Sequence, residues 1–144
     1  MDIEQVRRRF ETLSLKGIEC RLNVGATLSD VHHIEQRLKI QFPEPLVQFW
    51  TSINGVEVAE PRLVIYPLAS FVMNSGLLIF AECNGGVRLA FDTSERNEAD
   101  QWSILNADTG YRVTYTLGSF CCIHGWTWLL KRRPIWFHAY VDAL

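Results

Sequence analysis

The residues best equipped for covalent or metal chemistry lie near the C-terminus. Cys121-Cys122-Ile123-His124 places two thiols and an imidazole within one short stretch, and a thiolate with an imidazole can bind zinc or act as a nucleophile pair. Adjacent residues on a helix diverge by about 100°, however, and no second ligand pair stands elsewhere at metal-binding spacing. A core helix that uses small residues to approach a sheet closely is the better reading of these cysteines. His32-His33 diverges in the same way and reads as two surface histidines. Asn84-Gly85-Gly86 has glycines that could cradle a phosphate, but no helix follows to aim amides at one, so a tight turn explains it. The chain contains no G-x-S-x-G, G-x-x-x-x-G-K-[ST], H-E-x-x-H or G-x-G-x-x-G motif. The sequence therefore assigns no catalytic residue, no metal ligand and no cofactor, and points away from an enzyme.

A different chemistry is carried by charge. Between positions 92 and 108, Asp92, Glu95, Glu98, Asp100 and Asp108 face a single arginine, Arg96. Such a run serves as a solubilising loop, or it steers a basic partner and raises the association rate. Trp102 lies inside the run and would supply a large, rigid aromatic anchor. Aromatics crowd the C-terminal part: Tyr111, Tyr115, Phe120, Trp126, Trp128, Trp136, Phe137 and Tyr140 join Trp102. Core packing accounts for each ring taken singly, but one helix cannot bury Trp126 and Trp128 on the same stripe. Arg7-Arg8-Arg9 invites a nucleic-acid reading, yet Asp2, Glu4 and Glu11 surround it, as on a solvated helix face.

The whole composition supports that weighting. With 14 Lys and Arg against 16 Asp and Glu, the net charge of −2 is unlike that of generic nucleic-acid binders, so direct nucleic-acid binding is not expected. A chain of 144 residues, 48% hydrophobic, is long enough for one self-sufficient core and short for two, giving a single domain over 1–144. The longest apolar run, Gly76 to Ala81, is far too short to span a bilayer, and no membrane partner is expected. The acidic start Met1-Asp2-Ile3-Glu4 is unlike a secretory signal, and the four cysteines form no disulfide framework; both point to the cytoplasm.

Local signals define the elements that must position these groups. Ile3, Val6, Phe10 and Leu13 repeat at helical spacing up to Gly17, and Ile18 to Leu22 alternates as a strand. Thr27-Leu28-Ser29-Asp30 has the spacing of a capping box, ahead of the stripe Leu28, Val31, Ile34 and Leu38. Pro43 and Pro45 start a third helix with Leu46, Phe49, Trp50 and Ile53 on its buried face, and Asn54-Gly55 is its expected left-handed exit. Strands are then expected at 63–66, at 77–83 and 87–91 around Asn84-Gly85-Gly86, and at 102–105 and 111–115 around a second turn. Ser119 is the expected cap of a last helix with Phe120, Ile123, Thr127 and Leu130 on one face, cations in its final turn and Pro134 after it. The apolar tail from Ile135 to Val141 is expected to dock on the domain. The result is an α+β domain, with N-terminal helices and a C-terminal helix on a mainly antiparallel sheet of about five or six strands.

The order of these signals resembles the SUKH superfamily. The resemblance runs through Gly25 to Leu38, then Phe42-Pro43-Glu44-Pro45-Leu46, Phe49-Trp50 and Asn54-Gly55, then Phe80 to Asp92 with its glycine turn, and Ser119-Phe120. Phe42 stands where the family usually has leucine, and Pro45 is an added proline. The resemblance implies helices on one face of an antiparallel sheet. It also implies a protein-binding role: an immunity protein that neutralises a bacterial toxin, or a regulatory or scaffold module without a toxin partner. Joined to the charge pattern, it leads to an expected mechanism of stoichiometric occlusion. Asp92, Glu95, Glu98, Asp100 and Asp108 would mimic a nucleic-acid substrate in the basic cleft of a nuclease or other nucleic-acid-directed toxin, with Trp102 as anchor.

Overall fold

In the computed structural model, which describes residues 1–137, each N-terminal helix begins at a chemically marked position. Helix α1 (Ile3–Thr12) is capped by Asp2, whose carboxylate accepts from the amides of Glu4 and Gln5; Val6 and Phe10 are buried, and a 3₁₀ turn, Leu13–Lys16, continues it. Strand β1 (Cys20–Val24) leads to α2 (Leu28–Leu38). There the capping box is complete: the Asp30 amide donates to Thr27 Oγ1 at 3.1 Å and the Thr27 amide to the Asp30 carboxylate at 3.0 Å. Those bonds favour the ionised carboxylate and hold Asp30 below its ordinary pKa. Helix α3 (Glu44–Ser52) starts at the prolines and buries Leu46, Phe49 and Trp50.

The exit expected at Asn54-Gly55 is absent. The chain passes from α3 directly into β2 (Ile53–Val58), and both residues lie within this strand. Gly55 has φ +105°, and a Cβ there would meet the Ile65 carbonyl oxygen at 2.8 Å and the Pro67 nitrogen at 2.9 Å. Its glycine serves a close approach of neighbouring backbone, not a helix terminus. Asn54 Oδ1 accepts from the Leu68 amide at 2.9 Å, so the dipeptide ties β2 to the segment after β3 (Leu63–Ile65).

The remaining strands are β4 (Val72–Asn74), β5 (Leu77–Cys83), β6 (Val87–Asp92), β7 (Ile104–Asn106) and β8 (Arg112–Thr114). All pairs are antiparallel, in the order β1-β2-β3-β5-β6-β7-β8, with β4 also paired to β5. Among the described residues the sheet thus has eight strands, not five or six. The additions are β2, concealed behind the helix signal of α3, and the short β4. The β5–β6 and β7–β8 hairpins fall where the turn residues place them. Trp50 is fully buried at the junction of helices and sheet, its indole N–H donating to the Tyr66 carbonyl at 2.8 Å, with Phe71 edge-on to it. Phe80 and Phe91 stack at 4.0 Å beneath it.

The C-terminal helix also departs from expectation. Thr116 is the cap, three residues before Ser119, and accepts from the Ser119 amide at 3.0 Å. One turn, α4 (Leu117–Ser119), opens into a π-helical segment at Phe120–His124, which continues as α5 (Gly125–Lys131). Each π turn takes an extra residue, so the phase of the helix shifts. Phe120 is buried as expected, but Cys121, Trp128 and Leu129 join it, while Ile123 and Leu130 are 58% and 45% exposed. After Arg132 closes the helix in the left-handed region, Ile135 and Trp136 dock, and Trp136 packs edge-on against Trp128 at 4.9 Å. The rest of the expected docking tail, from His138 onward, lies outside the described residues.

Candidate partner-binding surface

The acidic run occupies the connection between β6 and β7, and its backbone is fixed from within. Asn97 is the centre. Its Oδ1 accepts from the amides of Ala99 at 2.9 Å and Gln101 at 3.3 Å, and its Nδ2 donates to the Tyr115 carbonyl at 2.7 Å and to Ser103 Oγ at 3.2 Å. Asp92 closes the start of the connection by accepting from the Ser94 amide and hydroxyl at 3.0 and 2.6 Å. Thr93 binds the Gly76 carbonyl through both its amide and its hydroxyl. These local bonds leave Glu95, Glu98 and Asp100 projecting into solvent. Asn97 was not singled out from the sequence, although asparagine bonding to backbone two residues on is a recognised turn former.

The six expected contact residues do not form one group. Asp92, Glu95, Glu98 and Asp100 gather at the end of β6. Asp108 sits on the β7–β8 turn, near the other end of that strand, where it pairs with Arg88 at 2.7 Å. Arg88 and Asp92 are four positions apart along β6, roughly 13 Å. Trp102 is 4% exposed and belongs to the core, edge-on to Phe42 at 6.2 Å and tilted against Phe91. It is therefore a support for the connection and not an accessible anchor. Strand alternation explains this, since Trp102 shares the inward phase of Ile104 and Asn106. The aromatic that reaches solvent here is Tyr115, 50% exposed, with the Arg112 guanidinium 4.2 Å from its ring centre.

Glu95, Glu98, Arg96, Asn97, Arg112 and Tyr115 line a cleft of about 610 Å³. Arg96 bridges its floor, reaching Asp100 at 3.5 Å and the Gln41 carbonyl at 3.4 Å while covering the Trp102 ring. The cleft offers two carboxylates, two guanidiniums and a phenol ring, a set suited to recognising the charged side chains of a protein. Elsewhere the sheet pairs its charges, Arg21 with Glu57, Arg62 with Glu82 and Arg88 with Asp108, and the Tyr66 hydroxyl also donates to Glu82 at 3.3 Å.

Burial pushes the Cys121 thiol up and the Cys83 thiol up to about 12, which disfavours thiolate in both. His124 is held below its ordinary pKa, again by burial. Among the described residues, no three His, Cys, Asp or Glu side chains are grouped to hold a metal ion, and no helix is long and apolar enough to cross a membrane.

In comparison with known families, the model of the SMI1 / KNR4 family (SUKH-1) matches residues 25–120, from the strand–helix junction before α2 through α4. No curated protein matches the chain.

Proposed function

The chain belongs to the SMI1 / KNR4 family (SUKH-1), and on that premise we propose that it acts as a protein-binding module, an immunity protein that neutralises a cognate bacterial toxin by stoichiometric occlusion. The observation that carries this reading is the acidic connection, whose internal hydrogen bonds hold Glu95, Glu98 and Asp100 outward beside the Tyr115 cleft. A backbone fixed before contact needs no reorganisation when a partner arrives, and a net negative patch accelerates encounter with a basic one. The partner is a toxin with a basic cleft of the kind that holds nucleic acid, and the binder works in the cytoplasm. Asp92 completes the patch, whereas Asp108, paired with Arg88, contributes only at its margin.

The test begins with capture of the partner from the native host and rescue of growth against it. Association is then measured for Glu95→Lys, Glu98→Lys and Asp100→Lys combined. We expect the association rate at low salt to fall by about ten- to a hundredfold and its salt dependence to flatten. An unchanged rate would remove the acidic connection from the interface.

A further inference from the structure

The apolar stripe read from the sequence of the C-terminal helix exists, but it faces solvent. Ile123, Thr127 and Leu130 lie along one line, with Thr127 Oγ1 donating to the Ile123 carbonyl at 3.1 Å, and Ile123 and Leu130 are the exposed aliphatics. The π turn faces them outward while Trp128 and Leu129 fill the core. Beside this stripe runs α1. Arg9 Nη1 donates to the Cys122 carbonyl at 2.9 Å, Phe10 packs on Trp126 at 5.0 Å, and Lys16 and Leu130 line one hollow. Leu15, on the 3₁₀ turn after α1, is 86% exposed.

Cations frame the stripe on both sides. Arg8, Arg9 and Lys16 come from α1 and its 3₁₀ turn; Lys131, Arg132 and Arg133 come from the end of α5. The nearby acids do not cancel all of them. Glu60 pairs with Arg132 at 2.5 Å. Glu4 and Glu11 share a helix face with both Arg7 and Arg8 and offset Arg8, while Arg7 bonds Ser52 of α3, which leaves Arg9 and Lys16 as the cations of α1 and its turn on the side of the stripe. The acidic connection meets the C-terminal helix at its start, where Asn97 donates to the Tyr115 carbonyl and Gln101 accepts from the Leu117 amide, more than a turn before Ile123. The stripe is thus a line of aliphatic contact bordered by positive charge.

We propose that the α1–α5 face is a second docking surface, which receives an acidic amphipathic helix from another protein. Ile123 and Leu130 are seven residues apart, about 10 Å along a helix, matching side chains two turns apart on an incoming helix. Acids flanking that helix would meet Arg9 and Lys16 on one side and Lys131 and Arg133 on the other. A lipid surface fits less well, because interfacial helices bury a broad apolar face and this stripe is narrow. A second copy of the chain also fits less well, since its own dense acidic segment is an irregular connection tied at Asn97, not a helix. This surface is separate from the acidic connection and does not rest on its proposed role.

The test uses the whole chain and a short labelled helical peptide with leucines two turns apart and glutamates on the flanks, followed by anisotropy. A second peptide carries lysine for every glutamate. The glutamate peptide should bind, weaken with salt, and lose roughly tenfold in affinity with Ile123→Asp or Leu130→Asp. Glu95→Lys with Glu98→Lys should leave it unchanged, which separates this surface from the toxin-binding proposal. Absence of glutamate-peptide binding, equal binding of the lysine peptide, or indifference to both aspartates would overturn the proposal. So would stronger Leu130-dependent binding to phosphatidylserine-containing vesicles, or self-association abolished by Ile123→Asp, which assign the face to lipid or to a second copy.

Discussion

Glu95 and Glu98 project from an irregular connection tied by the Asn97 side chain and underlain by the buried Trp102 ring; Ile123 and Leu130 project from a continuous helix, one from its π-helical segment and one from α5, whose opposite side is the core. The first surface depends on particular non-helical bonds, so its shape is only as good as those bonds. The second depends on helix phase, set by a π turn several residues before most of its side chains. Damage beneath the connection should therefore reach both stability and surface, whereas substitution on the stripe should alter surface alone.

The largest effect is expected from Trp102→Ala. Removal of a fully enclosed indole costs about 3–5 kcal/mol, and chemical denaturation should show it; a loss within the range of an exposed substitution would mean that the ring does not support the connection. Asn97→Ala comes next, at about 0.5–1.5 kcal/mol for the hydrogen bonds it loses, since water reaches the exposed and half-buried partners. Its specific mark should be faster hydrogen exchange at the Ala99 and Gln101 amides, with α1 and α5 unaffected. Thr116→Ala removes the cap of the C-terminal helix and should cost about 1 kcal/mol, loosening the stripe and leaving the connection in place. Smallest is a pH effect beside the stripe. Burial lowers the His124 pKa, so the unfolded chain takes up that proton more readily and stability declines as pH falls through the ordinary value of 6.5 toward the lower folded value. His124→Gln should flatten this part of the stability–pH profile measured by denaturant titration; an unaltered slope would place its origin elsewhere.

The features legible in the sequence are those decided within a few residues. Thr27 and Asp30 form their reciprocal bonds whatever lies further along the chain, and Asn84-Gly85-Gly86 turns β5 into β6 by local backbone preference. The fold class and the family followed from such signals. Features set by distant partners were hidden. Strand β2 is defined by pairing with β1 and β3, so Asn54-Gly55 looked like a helix terminus. The π turn moved Ile123 and Leu130 from the expected core to the surface, because an extra residue in one turn changes every later phase. Within the candidate site, the acids and their exposure were readable as charge. The burial of Trp102 was readable too, from its period-two relation to Ile104, but its acidic neighbours suggested a surface position. The separation of Asp108 from the other acids required knowledge of how β6 and β7 pair.

The sharpest test of function is a titration of the captured toxin's activity with this protein. Stoichiometric occlusion requires activity to fall linearly and reach zero near one equivalent, with no dependence on incubation time once binding is complete. Inhibition far below one equivalent, deepening with time, would signify turnover and contradict a role carried by binding.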